Sequence, residues 1–250
     1  MAGVLGAAVA LALAVALALF AGTVMTARAP VAPLPDLAGY LRQWSALHGG
    51  YRPEQSALTG NWLRLVYRVS RPLAVRGAAP DLLTGWGVLT SLAAAAVAGL
   101  GGRWPLLAAP VVVLAATLDS ADGAVAVLTG RGSAFGQVLD SLADRVSDGA
   151  YLLALWLLGA PGWLCVPGGA LMLMHEYTRA RAAGAGMTEI GVVTVWERPT
   201  RVILTVGLLV GAGSLTASAA VVVTLGAAAW CGLGAVGLTQ IIVVARRRLA

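Results

Sequence analysis

The chain has 250 residues, of which 59% are apolar and only 11% charged, with a mean hydropathy of +0.83. That balance excludes an ordinary soluble domain, and apolar runs approaching the roughly 20 residues that span a bilayer predict an all-α polytopic membrane protein. The formal charge of +6 does not point to nucleic acid, because the strongly basic residues are all arginines dispersed along the chain with no basic-aromatic module; they are expected to set topology and meet lipid headgroups.

In chain order, the first element is an uninterrupted apolar segment from about Gly3 to Gly22, with no basic residue before it and Arg28 as its first charge. A secretory signal carries its positive charge ahead of the apolar core. Residues 1–28 are therefore expected to be an uncleaved transmembrane anchor with its N-terminus outside, a cleaved signal being the alternative. Residues 29–77 follow as a cytoplasmic linker that opens on the proline-rich APVAPLP. Within it, Asn61 to Arg76 interleaves Leu63, Val66, Tyr67 and Leu73 with Arg64, Arg68 and Arg71. This pattern predicts an amphipathic helix on the cytoplasmic leaflet, broken or kinked at Pro72, with a soluble linker as the plainer reading. His48 is read as incidental.

Residues 78–250 are expected to form one domain of six spans. These run roughly over Leu82–Leu100, Pro105–Leu128, Ala134–Leu158, Gly162–Ala183, Pro199–Val210 toward Gly213, and Ala217–Val244. With the Arg76 end inside, the outer loops near Gly101, Ala160 and Gly213 carry only Arg103 and no acid. The Arg179/Arg181 loop and the Arg246–Arg248 tail then fall inside, as the positive-inside rule asks. Trp104 and Trp163 suit the outer aromatic belt and Trp196 the inner one. Cys165 and Cys231 lack metal-like spacing and read as helix-packing residues.

The second and third spans carry the chemistry. DSADGAVAVLTGRGSAFGQVLDSLAD holds Asp119, Asp122, Asp140 and Asp144 in otherwise apolar sequence. The first pair is spaced i, i+3 and the second i, i+4, so each shares a helix face. Thr129-Gly130-Arg131-Gly132-Ser133 is a turn signal between them. Taking Arg131 as the tip of a helical hairpin, both pairs lie at matching depth, roughly 14 to 20 Å away at about 1.5 Å per residue. Four carboxylates brought together at low dielectric require neutralisation. Hard cations such as Mg²⁺ or Mn²⁺ supply it, and two divalent ions suit reactions at phosphorus. Gly123 and Gly136 beside the aspartates leave room for a bulky phosphate. A solvated acidic face or arginine-held acid pairs are the bland alternative, but ionisable groups within spans mark function.

The stretch resembles the signature of the CDP-alcohol phosphotransferases, D-x2-D-G-x2-A-R-x8-G-x3-D-x3-D, with Asp119, Asp122, Gly123, Ala126, Gly136, Asp140 and Asp144 in register. Val127 departs from it, standing where the family carries an arginine that helps hold the nucleotide-linked phosphates. Arg131, four residues on, is expected to substitute if the helix continues. The resemblance implies a six-helix core, metal binding by Asp119, Asp122, Asp140 and Asp144, and Asp144 as the general base. It also implies donor contacts from Asp81 and Thr84 of PDLLT, similar to the family's P-[DN]-x-x-T element, and from Ser133. On the residues alone, Pro80-Asp81 and Ser133 read equally well as helix caps.

Further on, HEYTRARA and WERPTR supply Arg179, Arg181, Arg198 and Arg201, whose planar forks match phosphate oxygens and suit an anionic acceptor. Positive-inside charge is the alternative. His175-Glu176 reads as a proton relay or as helix-end polar residues, and Asp148 as a supporting or packing acid. With DRVSDG, these segments look most like actinobacterial phosphatidylinositol-phosphate synthases. The implied reaction moves a phosphatidyl group from CDP-diacylglycerol to a small polyol phosphate, releasing CMP, in a multi-pass plasma-membrane homodimer with its active site toward the cytoplasm. A phosphatidylglycerophosphate synthase using glycerol 3-phosphate is the nearest alternative. A catalytically weakened scaffold relative, suggested by Val127, and a cation transporter are the remote ones.

Overall fold

The computed structural model describes residues 18–19, 21–22, 25–28, 30, 33–47, 49–187 and 193–250. Most of the expected N-terminal anchor, and His48, lie outside the described residues. Among the described residues from 33 on, eight α-helices follow one another: α1 (Leu37–Leu47), α2 (Ala57–Val75), α3 (Pro80–Ala98), α4 (Pro105–Thr129), α5 (Ala134–Leu157), α6 (Gly162–Gly184), α7 (Arg198–Ser214) and α8 (Ala219–Leu249). There is no strand among the described residues. The last six match the six expected spans to within a few residues. Of these, α3, α4 and α8 are long and apolar enough to cross a membrane by length and composition. The other three fall short for reasons visible in sequence: α7 has 17 residues, while α5 and α6 carry the charged groups.

The chain divides into two compact units, with boundaries inside α3, α4 and α5. The first comprises residues 1–90 and 114–144. Its core joins Tyr40 of α1, Leu63 and Val66 of α2, Leu83 of α3, and Ala124, Val125 and Leu128 of α4. Helix α2 starts where Ser56 Oγ accepts the Thr59 amide at 3.3 Å, which satisfies one of the donors a helix start leaves open. Its buried residues Gly60, Leu63, Val66, Ser70 and Ala74 recur every three or four positions, one stripe of an amphipathic helix. That stripe packs against protein, and Tyr67 and Leu73 flank the same cluster. The face left outward carries Arg64, Arg68 and Arg71 together with exposed Leu58, Leu65 and Val75. The helix also runs on through Pro72 to Val75 rather than breaking there, giving up the one bond that the Pro72 nitrogen cannot donate to Arg68.

The second unit comprises residues 91–113 and 145–250. Small residues dominate its core, among them Ala94, Ala98, Ala108, Ala154, Ala212 and Ala227, which let helix backbones approach closely. Larger groups fill the remainder: Tyr151, Leu155, Leu209, and Trp196 set edge-on to Trp230 with ring centroids 5.0 Å apart. Trp196 lies in the segment before α7 and packs into a notch on α8 at Gly237, where a β-carbon would collide with the Trp196 side chain. Gln240 of α8 accepts the Val195 amide at 2.9 Å. The segment entering α7 is thereby fixed to α8. Cys231 Sγ contacts the Leu164 carbonyl at 3.2 Å and Cys165 packs beside the core, the helix-packing role expected of both.

Candidate active site

In the first unit, α4 ends at Thr129 and α5 begins at Ala134, the expected hairpin. The end of α4 is made by Gly130, with φ +65, and by the Arg131 amide bonding back to the Ala126 carbonyl at 3.0 Å. This six-to-one closure needs a left-handed residue, which glycine adopts without strain. It also corrects one expectation. The helix does not continue to Arg131, so Arg131 does not stack one turn beyond Val127. Its Nη1 instead lies 3.3 and 3.4 Å from the carbonyls of Gly77 and Ala78, joining the hairpin tip to the link between α2 and α3. Val127 itself packs against the apolar cluster of α1, α2 and α4.

Carboxylate oxygens of Asp119, Asp140 and Asp144 all lie within 4.8 Å of one another. The expected four-acid cluster is thus a triad with a neighbour. Asp122, 5% exposed, accepts a hydrogen bond from the Thr84 hydroxyl through Oδ2 and from the Gly123 amide through Oδ1. It remains close enough to feel the charges of Asp119 and Asp140. The triad is half-buried, and its donors are hard anionic oxygens at a spacing one ion can bridge. That set fits Mg²⁺ or Mn²⁺ and not a soft metal.

The remaining donor-side residues gather around this hairpin. Ser133 Oγ accepts the Gly136 amide at 2.9 Å and so acts as an N-cap of α5. A β-carbon on Gly136 would meet Ser133 Oγ at 3.1 Å and Asp81 Oδ1 at 3.4 Å, which places Asp81 at the mouth of α5. A β-carbon on Gly123 would meet nothing within 4 Å, so open space lies beside the first aspartate pair. Pro80 begins α3, and Thr84, one turn later, reaches Asp122. Trp62 Nε1 donates to Ser120 Oγ at 3.2 Å, bracing α4 next to Asp119.

In the second unit the arginines are not a bare cationic patch. Arg201, 1% exposed, sets Nε 3.2 Å from Asp148 Oδ2 and Nη2 3.0 Å from Glu176 Oε1. Glu176 Oε2 lies 3.2 Å from Arg145 Nη1. Arg179 pairs with Glu197, whose Oε1 also accepts the Thr194 amide at 2.8 Å and the Thr194 hydroxyl at 2.9 Å. Thr194 Oγ1 in turn lies 3.0 Å from Nε2 of the fully buried His175. Arg198 acts electrostatically on Asp148, and Arg181 is exposed at the end of α6. Burying guanidinium groups demands carboxylate partners, and here Asp148, Glu176 and Glu197 supply them. Sequence reasoning missed Arg145, whereas Asp148, read as a supporting or packing acid, is the buried partner of Arg201. The signal was present in the i, i+3 pairs Arg145/Asp148 and Glu176/Arg179, which are complementary rows on helix faces.

A family model described as CDP-alcohol phosphatidyltransferase matches residues 78–241. The archaetidylinositol phosphate synthase of Pyrococcus horikoshii is 36% identical over 140 residues, 55% of this chain and 72% of that one. The phosphatidylinositol phosphate synthases of Mycobacteroides abscessus and Mycobacterium marinum are 35% and 37% identical, over 55% and 58% of this chain. The chain spans 66% and 64% of the length of those two relatives. Among solved structures, Mycobacterium tuberculosis phosphatidylinositol phosphate synthase in complex with manganese and citrate has a TM-score of 0.61 at 25% identity. That match covers 72% of this chain and 88% of the other. The same enzyme with CDP-DAG bound has a TM-score of 0.57 at 26% identity, covering 74% and 92%.

Proposed function

Because the chain belongs to the CDP-alcohol phosphatidyltransferase family, we propose that it transfers the phosphatidyl group of CDP-diacylglycerol to a hydroxyl of inositol phosphate, releasing CMP. The observation that carries this reading is the approach of Asp119, Asp140 and Asp144 to within 4.8 Å beside Asp122. Two divalent ions, Mn²⁺ or Mg²⁺, would be held by these four carboxylates and would supply charge neutralisation of the donor diphosphate.

The chain's own residues do the rest. Asp144 takes the proton of the attacking hydroxyl. The acceptor oxygen bonds to the phosphatidyl phosphorus as the bond from that phosphorus to the CMP oxygen breaks. Asp81, Thr84, Ser133 and the open ground beside Gly123 and Gly136 receive the nucleotide end of the donor, with Arg131 holding the hairpin tip against residues 77 and 78. Arg179, Arg181, Arg198 and Arg201 hold the phosphate of the acceptor. Residues 78–250 form the catalytic domain of a multi-pass, homodimeric protein of the plasma membrane. Its metal-bearing hairpin faces the cytoplasm.

Glycerol 3-phosphate is the competing acceptor, since a guanidinium cluster announces an anion without naming the polyol. CMP release by the purified protein in liposomes decides the matter. The assay contains CDP-diacylglycerol and Mn²⁺ and takes inositol phosphate, glycerol 3-phosphate, inositol or serine one at a time. Release with inositol phosphate, lost in Asp144→Asn, is expected. Release with glycerol 3-phosphate alone would replace the acceptor, and silence with every acceptor would overturn the reading.

A further inference from the structure

We infer that Glu176 is a positioning residue for the acceptor phosphate: one carboxylate on α6 bridges Arg201 of α7 and Arg145 of α5 beside Arg179, and so sets the guanidinium groups that take the anion. The inference rests on the proposed phosphorylated acceptor.

Glu176 Oε1 is 3.0 Å from Arg201 Nη2 and 3.6 Å from His175 Nδ1, while Oε2 is 3.2 Å from Arg145 Nη1 and 3.9 Å from Arg179 Nε. Each oxygen therefore serves a different helix. Burial of Arg201 does not by itself require this contact, because the fully buried Asp148 already meets its Nε at 3.2 Å. What the second carboxylate adds is orientation. The Arg201 guanidinium donates from Nη2 to Glu176 Oε1, with Nε 3.2 Å from Asp148 Oδ2 in an ion pair that lacks hydrogen-bond geometry. Its Nη1 has no hydrogen-bond acceptor among the described residues. A phosphate oxygen is the acceptor this corner suits, since guanidinium forks match phosphate geometry.

Charge leads to the same conclusion. An anion seat built from several guanidiniums is self-repelling unless an interior counter-charge holds them a few ångströms apart. Arg145, Arg179 and Arg201 are set here against Glu176, Glu197 and Asp148, with Arg198 acting on Asp148 as well. Glu176 lies within 4 Å of three of these cations, Arg145, Arg179 and Arg201. His175, fully buried with Nε2 3.0 Å from Thr194 Oγ1, sets its Nδ1 3.6 Å from Glu176 Oε1.

The test compares wild type, E176Q and E176D in CDP-diacylglycerol liposomes with Mn²⁺, titrating inositol phosphate and the donor separately. E176Q keeps the shape and loses the charge. It is expected to raise the acceptor KM by about 10- to 100-fold, the range for a charged hydrogen bond, with donor KM unchanged and kcat little altered, the pattern of lost binding. E176D should fall between E176Q and wild type. An unchanged acceptor KM in E176Q overturns the inference, as do acceptor and donor KM rising together with a lower Tm. If E176Q does not fold, a wild-type acceptor KM in E176D overturns it. A wild type silent with every phosphorylated polyol would fail the functional reading itself, whereas an active wild type beside an indifferent E176Q fails this inference alone.

Discussion

The Thr84 hydroxyl donates a hydrogen bond to Asp122, joining the first turn of α3 to the acid-bearing part of α4 across 38 positions of sequence. Both groups are buried, at 5% exposure each. Hydrogen bonds to charged groups are worth about 1.5–3 kcal/mol, and more when the alternative is an unsatisfied buried anion. The bond ties Asp122 to α3 beside the Asp119–Asp140–Asp144 triad.

Thr84→Val, close in shape and lacking the hydroxyl, is therefore expected to lower CMP release by roughly 10- to 100-fold, since each 1.4 kcal/mol is a factor of ten. Steady-state kinetics with Mn²⁺ varied checks it. Wild-type rates at every Mn²⁺ concentration would reduce Thr84 to a helix-start residue.

Asp119, Asp140 and Asp144 share one patch of carboxylate oxygen. Conversion of any one to Asn is expected to weaken Mn²⁺ binding, read by electron paramagnetic resonance of free Mn²⁺, and chelation should abolish CMP release until Mn²⁺ or Mg²⁺ is returned. Asp144→Asn should additionally lower kcat at saturating metal by ~10²–10⁴, the usual range for a lost general base. Full activity of Asp144→Asn at high Mn²⁺ would remove the base assignment.

Val127 is packed against the cluster of Tyr40, Leu63, Val66 and Val125. Val127→Arg would press a guanidinium into that apolar surface, and a loss of about 1–3 kcal/mol is expected. In a chain of this size that reads as a Tm lower by roughly 3–10 °C. CMP release should not rise. A gain in turnover with unchanged Tm would instead identify Val127 as a catalytic lesion.

The four candidate acceptor arginines should separate by burial. Arg201→Ala leaves Asp148 buried without its nearest cation, and breaking such a pair costs about 3–5 kcal/mol. It should fail in thermal stability. Arg181→Ala, at an exposed helix end, should leave Tm unchanged and raise only the acceptor KM. Equal Tm for both proteins would contradict the buried pairing.

The helices and the carboxylate hairpin were legible from sequence because their determinants are local. Apolar runs of span length, Pro and Gly at helix ends, and i, i+3 and i, i+4 aspartates at equal distance from a glycine turn constrain the backbone within a few residues. The family signature, which spans that same hairpin, was legible for the same reason. Where the reading depended on which surface met which, it fell short. The apolar stripe of α2 was expected on the membrane and packs on α1 and α4, because periodicity reveals that a face is buried and not what buries it.

What the sequence determined by itself is thus the set of helices, the reversal at Gly130, and a hairpin that brings aspartates of its two helices together, although the sequence alone counted four where three share one patch. Only the tertiary structure decided that Asp122 turns to Thr84, that Arg131 binds backbone carbonyls, and that the arginines of α5, α6 and α7 close on Asp148, Glu176 and Glu197. The physical reason is that charge pairing acts through space. Carboxylates and guanidiniums from different helices must find one another when buried, and their spacing along the chain tells only which of them share a helix face, not which partner each takes on another helix.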